Sequence, residues 1–240
     1  MEPIEGAILA AGRGERLRAG GPDLPKPLVR LAGEPLLARQ ARFMFEAGAR
    51  RVVAVVNSET ASLIDRNAIA LPAGLSVVVR DTPNSMETLF ELGEHLTSRW
   101  FLAATVDAVL PAGEMTHFVQ RALALCCADG APASGALGVV RWRGDERPLF
   151  VQADAAGAIR TVGAARGALV TAGIYFLPQS VFAFRSRARE MRLSALRQFL
   201  AGLVQWGVRL DAVELSDAID IDVAEDLEAA GKLVRPRGKC

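Results

Sequence analysis

Over the first 130 residues, apolar segments of strand-like composition alternate with segments of helical periodicity. The predicted strands are 4–10, 51–56, 75–79 and 100–106, and the predicted helices are 35–47, 60–66, 85–96 and 114–127. This order places a helix between successive strands, which is the connection that parallel strands require. The alternation therefore predicts a parallel sheet that is covered by helices on both faces.

After about residue 132 the pattern changes, because short strand candidates follow one another without helices between them. These candidates are 136–142, 148–152, 159–162 and 169–176. They predict an antiparallel or mixed extension of the first sheet. Helices at 178–184, 194–206 and 224–233 and a strand at 209–215 follow. The 240 residues contain no linker or repeat, so we expect one α/β domain over 1–240.

Composition argues against several classes of protein. Hydrophobic residues make up 51% of the chain and charged residues 23%, which is typical of a globular domain rather than a disordered one. The net charge of +1 predicts no binding to nucleic acid or to an anionic membrane. No apolar run reaches the roughly 18 residues that span a bilayer, and the N-terminus does not resemble a signal peptide. The chain has three cysteines, Cys126, Cys127 and Cys240; the adjacent Cys126 and Cys127 lack metal-ligand spacing, which favours core thiols and a cytoplasmic location.

One lysine stands out in a chain that otherwise uses arginine. Only three of the 28 basic residues are lysines, and Lys26 is the one that lies far from the C-terminus, between two prolines. Lysine carries a compact ammonium, whereas arginine carries a planar guanidinium with several donors. The choice of lysine at this position therefore suggests that a point charge is needed there. Gly12 and Gly14 follow the first predicted strand, where glycine lets backbone N–H groups approach a phosphate, although a plain turn also explains them. Leu17 stands where the dinucleotide-binding motif has its third glycine, and the Gly-Lys-Ser/Thr of a P-loop is absent, so the segment matches neither motif.

Two acidic sites lie far apart in the sequence. Asp107 directly follows the apolar strand predicted at 100–106. A buried, unpaired charge is costly there, so the carboxylate needs a partner or a cation. An aspartate of a turn before Pro111 is the alternative interpretation. Asp220 and Asp222 precede the last predicted helix. Asp222 could instead be the N-cap of that helix, with Glu225 as the capping-box acid.

The segment from Ile8 to Leu28 resembles the start of a known family. It reads Leu-Ala-Ala-Gly-x-Gly-x-Arg-Leu, a short loop and Pro-Lys-Pro-Leu, which is similar to the nucleotidyltransferases that make nucleotide sugars and related activated alcohols. That family includes sugar-1-phosphate nucleotidylyltransferases, inositol-phosphate and phosphocholine cytidylyltransferases and the MobA-like group. The resemblance implies a single-domain, three-layer, Rossmann-like mixed sheet. It also implies a nucleotide site formed by Leu9, Ala10, Ala11, Gly12, Gly14, Arg16 and Lys26.

The same resemblance implies a metal site and assigns catalytic roles. Asp107 matches the metal-binding Asp after the fourth strand, and Asp222 matches the second Asp of the family's C-terminal acidic pair, with Asp220 as the first. Mg²⁺ suits a few carboxylates combined with water and phosphates. The family often has Thr and Pro where this chain has Val223 and Ala224. The implied catalytic residues are Lys26, Arg16 and Asp107.

The base and acceptor sites are less well defined. Asn57, Asn84 and Ser85 occupy places where the family binds the base, although Ser85 fits a helix N-cap equally well. On the acceptor side, the resemblance points to Thr171 and Gly173, and Arg141 is a tentative ligand of the acceptor phosphate. Arg141, Arg143 and Arg147 could equally be solvated charges on a hairpin. The family often has a further basic residue in this half, so an arginine must serve here or the role is missing.

We therefore expect a Mg²⁺-dependent transfer from CTP, UTP or GTP to a phosphorylated small-molecule acceptor such as a sugar, inositol or phosphocholine-like alcohol phosphate. Residues 1–130 would bind the NTP and 131–240 the acceptor, with a homodimer possible. A non-catalytic nucleotide-binding relative is one alternative. A glycosyltransferase is another, but those enzymes commonly have a mid-chain Asp-x-Asp, whereas Ala108 and Val109 follow Asp107 here.

Overall fold

A computed structural model describes residues 3–126, 134–144, 148–163 and 166–234. Cys127, Arg147, Lys239 and Cys240 lie outside these residues. The strands are β1 (Ile4–Ala10), β2 (Arg30–Leu31), β3 (Glu34–Pro35), β4 (Ala49–Val56), β5 (Leu75–Val79), β6 (Trp100–Thr105), β7 (Ala108–Val109), β8 (Gly135–Arg141), β9 (Phe150–Ala153), β10 (Ile159–Gly163), β11 (Leu169–Pro178), β12 (Leu210–Glu214) and β13 (Ile219–Asp220). The helices are α1 (Glu15–Gly20), α2 (Leu36–Glu46), α3 (Ser58–Arg66), α4 (Ser85–Gly93), α5 (Glu114–Cys126), α6 (Arg185–Glu190), α7 (Leu196–Gln205) and α8 (Ala224–Val234), with 3₁₀ turns at Lys26–Leu28 and Gln179–Phe184.

The central sheet has nine strands within the described ranges, and its order is β10-β9-β11-β6-β1-β4-β5, with β8 joining β11 to β12. Strands β6, β1, β4 and β5 are parallel, as Ile8 paired with both Ala54 and Ala104 illustrates. Strand β11 runs antiparallel to β6, β8 and β9. The predicted parallel first half and mixed extension are both confirmed, and so is the single-domain, Rossmann-like α/β class.

Two apolar layers cover the faces of this sheet. Successive side chains of a strand point to opposite faces, so Ile8 of β1 joins one layer while Ala7 and Leu9 join the other. The first layer contains the buried faces of α2 and α5, and the second contains those of α4 and α7. Because both faces are covered, ligands have access at the edge where the parallel strands end.

Short elements account for the main departures from the sequence prediction. The segment 178–184 is a 3₁₀ turn rather than an α-helix, and the predicted helix at 85–96 ends at Gly93. The six-residue helices α1 and α6 were not predicted, nor were the two-residue strands, because elements this short show little periodicity. Cys126 is buried, as expected of a core thiol. None of the helices in the described ranges is both long and apolar enough to cross a membrane.

Candidate active site

The glycine-rich loop lies between β1 and α1. Gly14 has a φ of +63°, and a Cβ on it would lie 3.0 Å from the Lys26 Cβ, so glycine is required there by conformation and by packing. A Cβ on Gly12 would contact nothing within 4 Å. The chain's own packing therefore does not require glycine at position 12, which fits a backbone left open to a ligand.

Lys26 connects two carboxylates that are distant in sequence. Its Nζ lies 2.8 Å from Asp107 Oδ2 and 2.9 Å from Asp222 Oδ1, and its side chain is only 11% exposed. Burial lowers the pKa of Lys26, but the charges and hydrogen bonds of Asp107 and Asp222 outweigh it, so the pKa lies above its ordinary value. Arg16 donates from Nη2 to Asp222 Oδ2 at 2.8 Å. Four predicted site residues are thus in direct contact.

Asp222 is not a helix cap. The backbone N–H groups of Asp222 and Val223 both donate to Asp226 Oδ2, at 2.8 and 2.9 Å. The interpretation of Asp222 as N-cap with Glu225 as capping acid is therefore wrong, because Asp226 receives these donors. The Asp222 carboxylate instead contacts Lys26 and Arg16. Burial raises the pKa of Asp222, but these two cations keep it below its ordinary value.

Two segments, β13 with the residue that follows it and β11, fix the backbone around Asp107. Ile221 donates its N–H to Asp107 O at 3.1 Å, next to the antiparallel pairing of Asp220 with Ala108. Gly173 has a φ of +72°, and a Cβ there would come within 2.5 Å of Ala108 Cβ. Glycine at 173 thus lets β11 pack closely on the turn that carries Asp107. Asp220 is exposed. It lies beside β11, because a Cβ added to Gly173 would be 3.2 Å from the Asp220 Oδ1.

The two aspartates of this site suit a divalent cation. One oxygen of Asp107 and one of Asp222 lie within 2.9 Å of a single nitrogen atom, so the two carboxylates converge on one point. Within the described ranges, no cluster of three or more His, Cys, Asp or Glu could hold a metal. Two carboxylates completed by water and phosphate oxygens are a donor set that Mg²⁺ accepts. The metal roles of Asp107, Asp222 and Asp220 stay predictions.

Asn57, predicted to contact the base, is only 5% exposed. Its Oδ1 accepts from Thr60 N at 2.8 Å as the N-cap of α3, and its Nδ2 donates to Ala11 O at 3.2 Å. It therefore links the start of α3 to the residue before Gly12. Leu9, Ala10 and Ala11 are buried where β1 ends.

The N-cap of α4 is Asn84, whose Oδ1 accepts from Glu87 N at 3.0 Å. The interpretation of Ser85 as the cap is wrong, because its Oγ accepts from Leu196 N of α7 at 2.9 Å. Asp81, in the turn that leads into α4, accepts from both the N–H and the hydroxyl of Ser58. The base-binding roles of Asn57, Asn84 and Ser85 stay predictions.

On the acceptor side, Arg141 donates from Nε to Glu214 Oε1 at 2.9 Å with its side chain 75% exposed, so its acceptor role stays a prediction. The sequence did not draw attention to Tyr175, although it is the only tyrosine in the chain. Burial and then the charge of Asp220 raise the pKa of Tyr175, while a hydrogen bond with Thr171 and the charge of Arg197 oppose them. Thr171 thus lies beside the buried Tyr175 hydroxyl, and the charges of Asp220 and Arg197 act on that group in opposite directions.

Comparisons with known proteins show the family and the fold of the chain. Residues 6–175 match the model of the MobA-like NTP transferase domain. The inositol-1-phosphate CTP transferase of T. maritima has a TM-score of 0.79 at 20% identity, covering 100% of this chain and 99% of that one. The CTP:phosphocholine cytidylyltransferase of Streptococcus pneumoniae has a TM-score of 0.75 at 17% identity, covering 96% and 98%.

A curated relative matches over a short segment. The bifunctional protein GlmU of Carboxydothermus hydrogenoformans is 45% identical over 53 residues, which is 22% of this chain and 11% of that protein. The chain therefore spans only a small part of that relative's length. The solved structures, all at 20% identity or less here, show the shared fold.

Proposed function

The chain belongs to the MobA-like NTP transferase domain family, and from this premise we propose that it is a Mg²⁺-dependent nucleotidylyltransferase. The family assignment confirms the resemblance drawn from residues 8–28. The proposed substrates are an NTP and a phosphorylated small alcohol, and the products are an activated nucleoside diphosphate alcohol and pyrophosphate. The observation that carries the proposal is the convergence of Lys26 and Arg16 on Asp107 and Asp222.

The reaction forms one bond and breaks one. An oxygen of the acceptor phosphate attacks the α-phosphorus of the NTP, and the bond from that phosphorus to the bridging oxygen of the β-phosphate breaks. The acceptor phosphate is already ionised at neutral pH, so no side chain has to remove a proton. Catalysis then depends on positioning and on neutralising charge.

The site residues supply that positioning and charge. Lys26, with Arg16 beside it, would neutralise the α-phosphate and the leaving pyrophosphate. The open backbone at Gly12 would let the phosphates approach the loop. Mg²⁺, held by Asp107 and Asp222, would supply further positive charge to the phosphates.

Arg197 is the arginine of the second half that best fits the acceptor phosphate. It lies in the first turn of α7, and its charge acts on Tyr175. Arg141 is paired with Glu214.

Replacing Arg197 tests this assignment. Arg197→Gln should raise the KM for the acceptor about tenfold and leave the KM for the NTP unchanged, because one charge-assisted contact to phosphate is lost. Arg141→Gln is the matched control, and we expect less than about a twofold change from it. A larger effect at Arg141 than at Arg197 would instead make Arg141 the acceptor ligand.

Nucleotide binding tests the proposed function itself. Titration calorimetry of ATP, CTP, GTP and UTP with Mg²⁺ should show selective binding of one NTP, weakened about tenfold in Asp107→Asn. Asp217→Asn is the matched control, since Asp217 pairs with Arg143 on the surface. Turnover of the selected NTP should release pyrophosphate, whereas a glycosyltransferase would release a nucleoside diphosphate. Selective binding of one NTP without release of either product would favour the non-catalytic nucleotide-binding alternative, and the absence of any NTP binding would contradict the proposed function.

A further inference from the structure

Gln40 carries a buried side-chain amide and belongs to α2, one of the helices that cover a face of the central sheet. It lies on α2 among apolar residues and is 3% exposed. A buried amide is costly unless it finds hydrogen-bond partners. Its Nε2 donates to Thr105 O at 2.9 Å and to Ala108 O at 2.7 Å, so both N–H groups of this nitrogen have acceptors.

The two acceptors of Gln40 lie on either side of Asp107. Thr105 ends β6 and Ala108 begins β7, so the amide joins the two ends of the turn that carries the carboxylate. Backbone contacts also hold this turn, because Val106 N donates to Leu9 O at 3.1 Å and Ile221 N donates to Asp107 O at 3.1 Å, and Gly173 approaches it closely. Gln40 is thus the side chain that fixes the turn from α2.

We propose that Gln40 is a positioning residue, which directs the Asp107 carboxylate toward Lys26 and Asp222 by holding both ends of its turn. The inference rests on the proposed function, because it matters only if Asp107 serves the metal and nucleotide site. Gln40 would act through this turn rather than by touching the metal or the substrates, since its amide nitrogen donates to Thr105 O and Ala108 O. Residues that orient a metal ligand typically change metal affinity by about 10–100-fold when they are replaced.

A metal titration separates positioning from general stability. Binding of Mn²⁺ alone can be followed by the loss of the free ion's electron paramagnetic resonance signal, in wild type and in Gln40→Met. We expect Gln40→Met to weaken Mn²⁺ binding about tenfold or more. Gln179→Met is the matched control, since Gln179 Nε2 donates to the carbonyl of Leu96 at 2.9 Å, before the start of β6 and away from the site. Its Mn²⁺ affinity should equal that of wild type.

Asp107→Asn in the same series makes the outcomes distinguishable. Unchanged affinity in Gln40→Met, with weakened affinity in Asp107→Asn, overturns the positioning role and leaves the proposed function intact. Unchanged affinity in both variants overturns the metal role of Asp107, and the inference falls with it. Equal weakening in Gln40→Met and Gln179→Met also overturns it, because the effect is then general. If Gln40→Met does not fold, Gln40→Asn shortens the amide by one methylene, and wild-type Mn²⁺ affinity in that folded variant overturns the proposal.

Discussion

Carboxylates lie near both ends of β1, and the groups that donate hydrogen bonds to them differ. We call Glu5 with its donors the Glu5 cluster, and Lys26 and Arg16 with the two aspartates they contact the Lys26 cluster. At the start of the strand, Glu5 is 6% exposed and accepts from the backbone N–H groups of Thr97 at 2.6 Å and Ser98 at 2.8 Å, and from Arg51. Beyond the other end, the carboxylate side chains of Asp107 and Asp222 accept from the long, movable side chains of Lys26 and Arg16.

This difference in donors leads us to expect different roles for the two groups of residues. Burial raises the pKa of Glu5, but the amides of Ser98 and Thr97 and then Arg51 outweigh it, so the pKa is lowered. The pKa of Asp222 is lowered too, but there only side-chain cations oppose burial. Backbone donors cannot leave without unfolding the chain locally, whereas Lys26 can reorient toward a phosphate. We therefore expect the Glu5 cluster to govern stability and the Lys26 cluster to govern turnover.

Replacing Lys26 should produce the largest effect. Lys26→Ala should lower kcat about 100-fold or more, because the transferred phosphate loses a positioned charge. The free energy of unfolding should change by about 1 kcal/mol or less, since both aspartates are partly exposed. Turnover assays and urea denaturation measure the two quantities. Lys232→Ala is the control, because Lys232 is 71% exposed and pairs with Glu228. An unchanged kcat in Lys26→Ala would remove Lys26 from the mechanism.

Long, periodic features of the molecule were predictable from the sequence. The alternation over the first 130 residues predicted a parallel sheet, because helices must cross between parallel strands. The glycines, Arg16 and Lys26 were found through a dense local motif. Asp107 and Asp222 were found because each follows or precedes a well-marked element, and the structure brings both to Lys26.

Features that depend on tertiary contacts were not predictable. Nothing local distinguishes Gln40 from a surface residue of an amphipathic helix, because its acceptors are 65 and 68 positions away. Ser85 and Asn84 are both good caps, and only the contact of Ser85 with Leu196 assigns the cap to Asn84. Arg197 of α7 became a candidate acceptor ligand only because its charge acts on Tyr175, which lies on β11.

Replacing Glu5 should have the opposite profile to replacing Lys26. Glu5→Gln should lower the free energy of unfolding by about 2 kcal/mol at neutral pH. The amide has only one acceptor oxygen and no charge, so some of the groups that donate to Glu5 would lose their acceptor. The kcat should stay within about twofold of wild type, since Glu5 lies at the far end of β1 from the site. Glu46→Gln is the matched control, as Glu46 is 50% exposed and pairs with Arg42, and we expect about 0.5 kcal/mol or less.

The pH dependence of that stability difference tests its cause. The folded-state pKa of Glu5 lies below its ordinary value of 4.5, so the carboxylate contributes its full stability above that value. This contribution is lost as the pH falls through the folded-state pKa, because Glu5 must then be protonated. The difference in free energy of unfolding between wild type and Glu5→Gln should therefore be constant above about pH 5 and shrink as the pH falls below 4.5 and through the folded-state pKa. Urea denaturation across this range measures it. A difference that persists unchanged to the acid end would show that shape, rather than charge, stabilises this end of β1, and the contrast with the Lys26 cluster would then rest on packing alone.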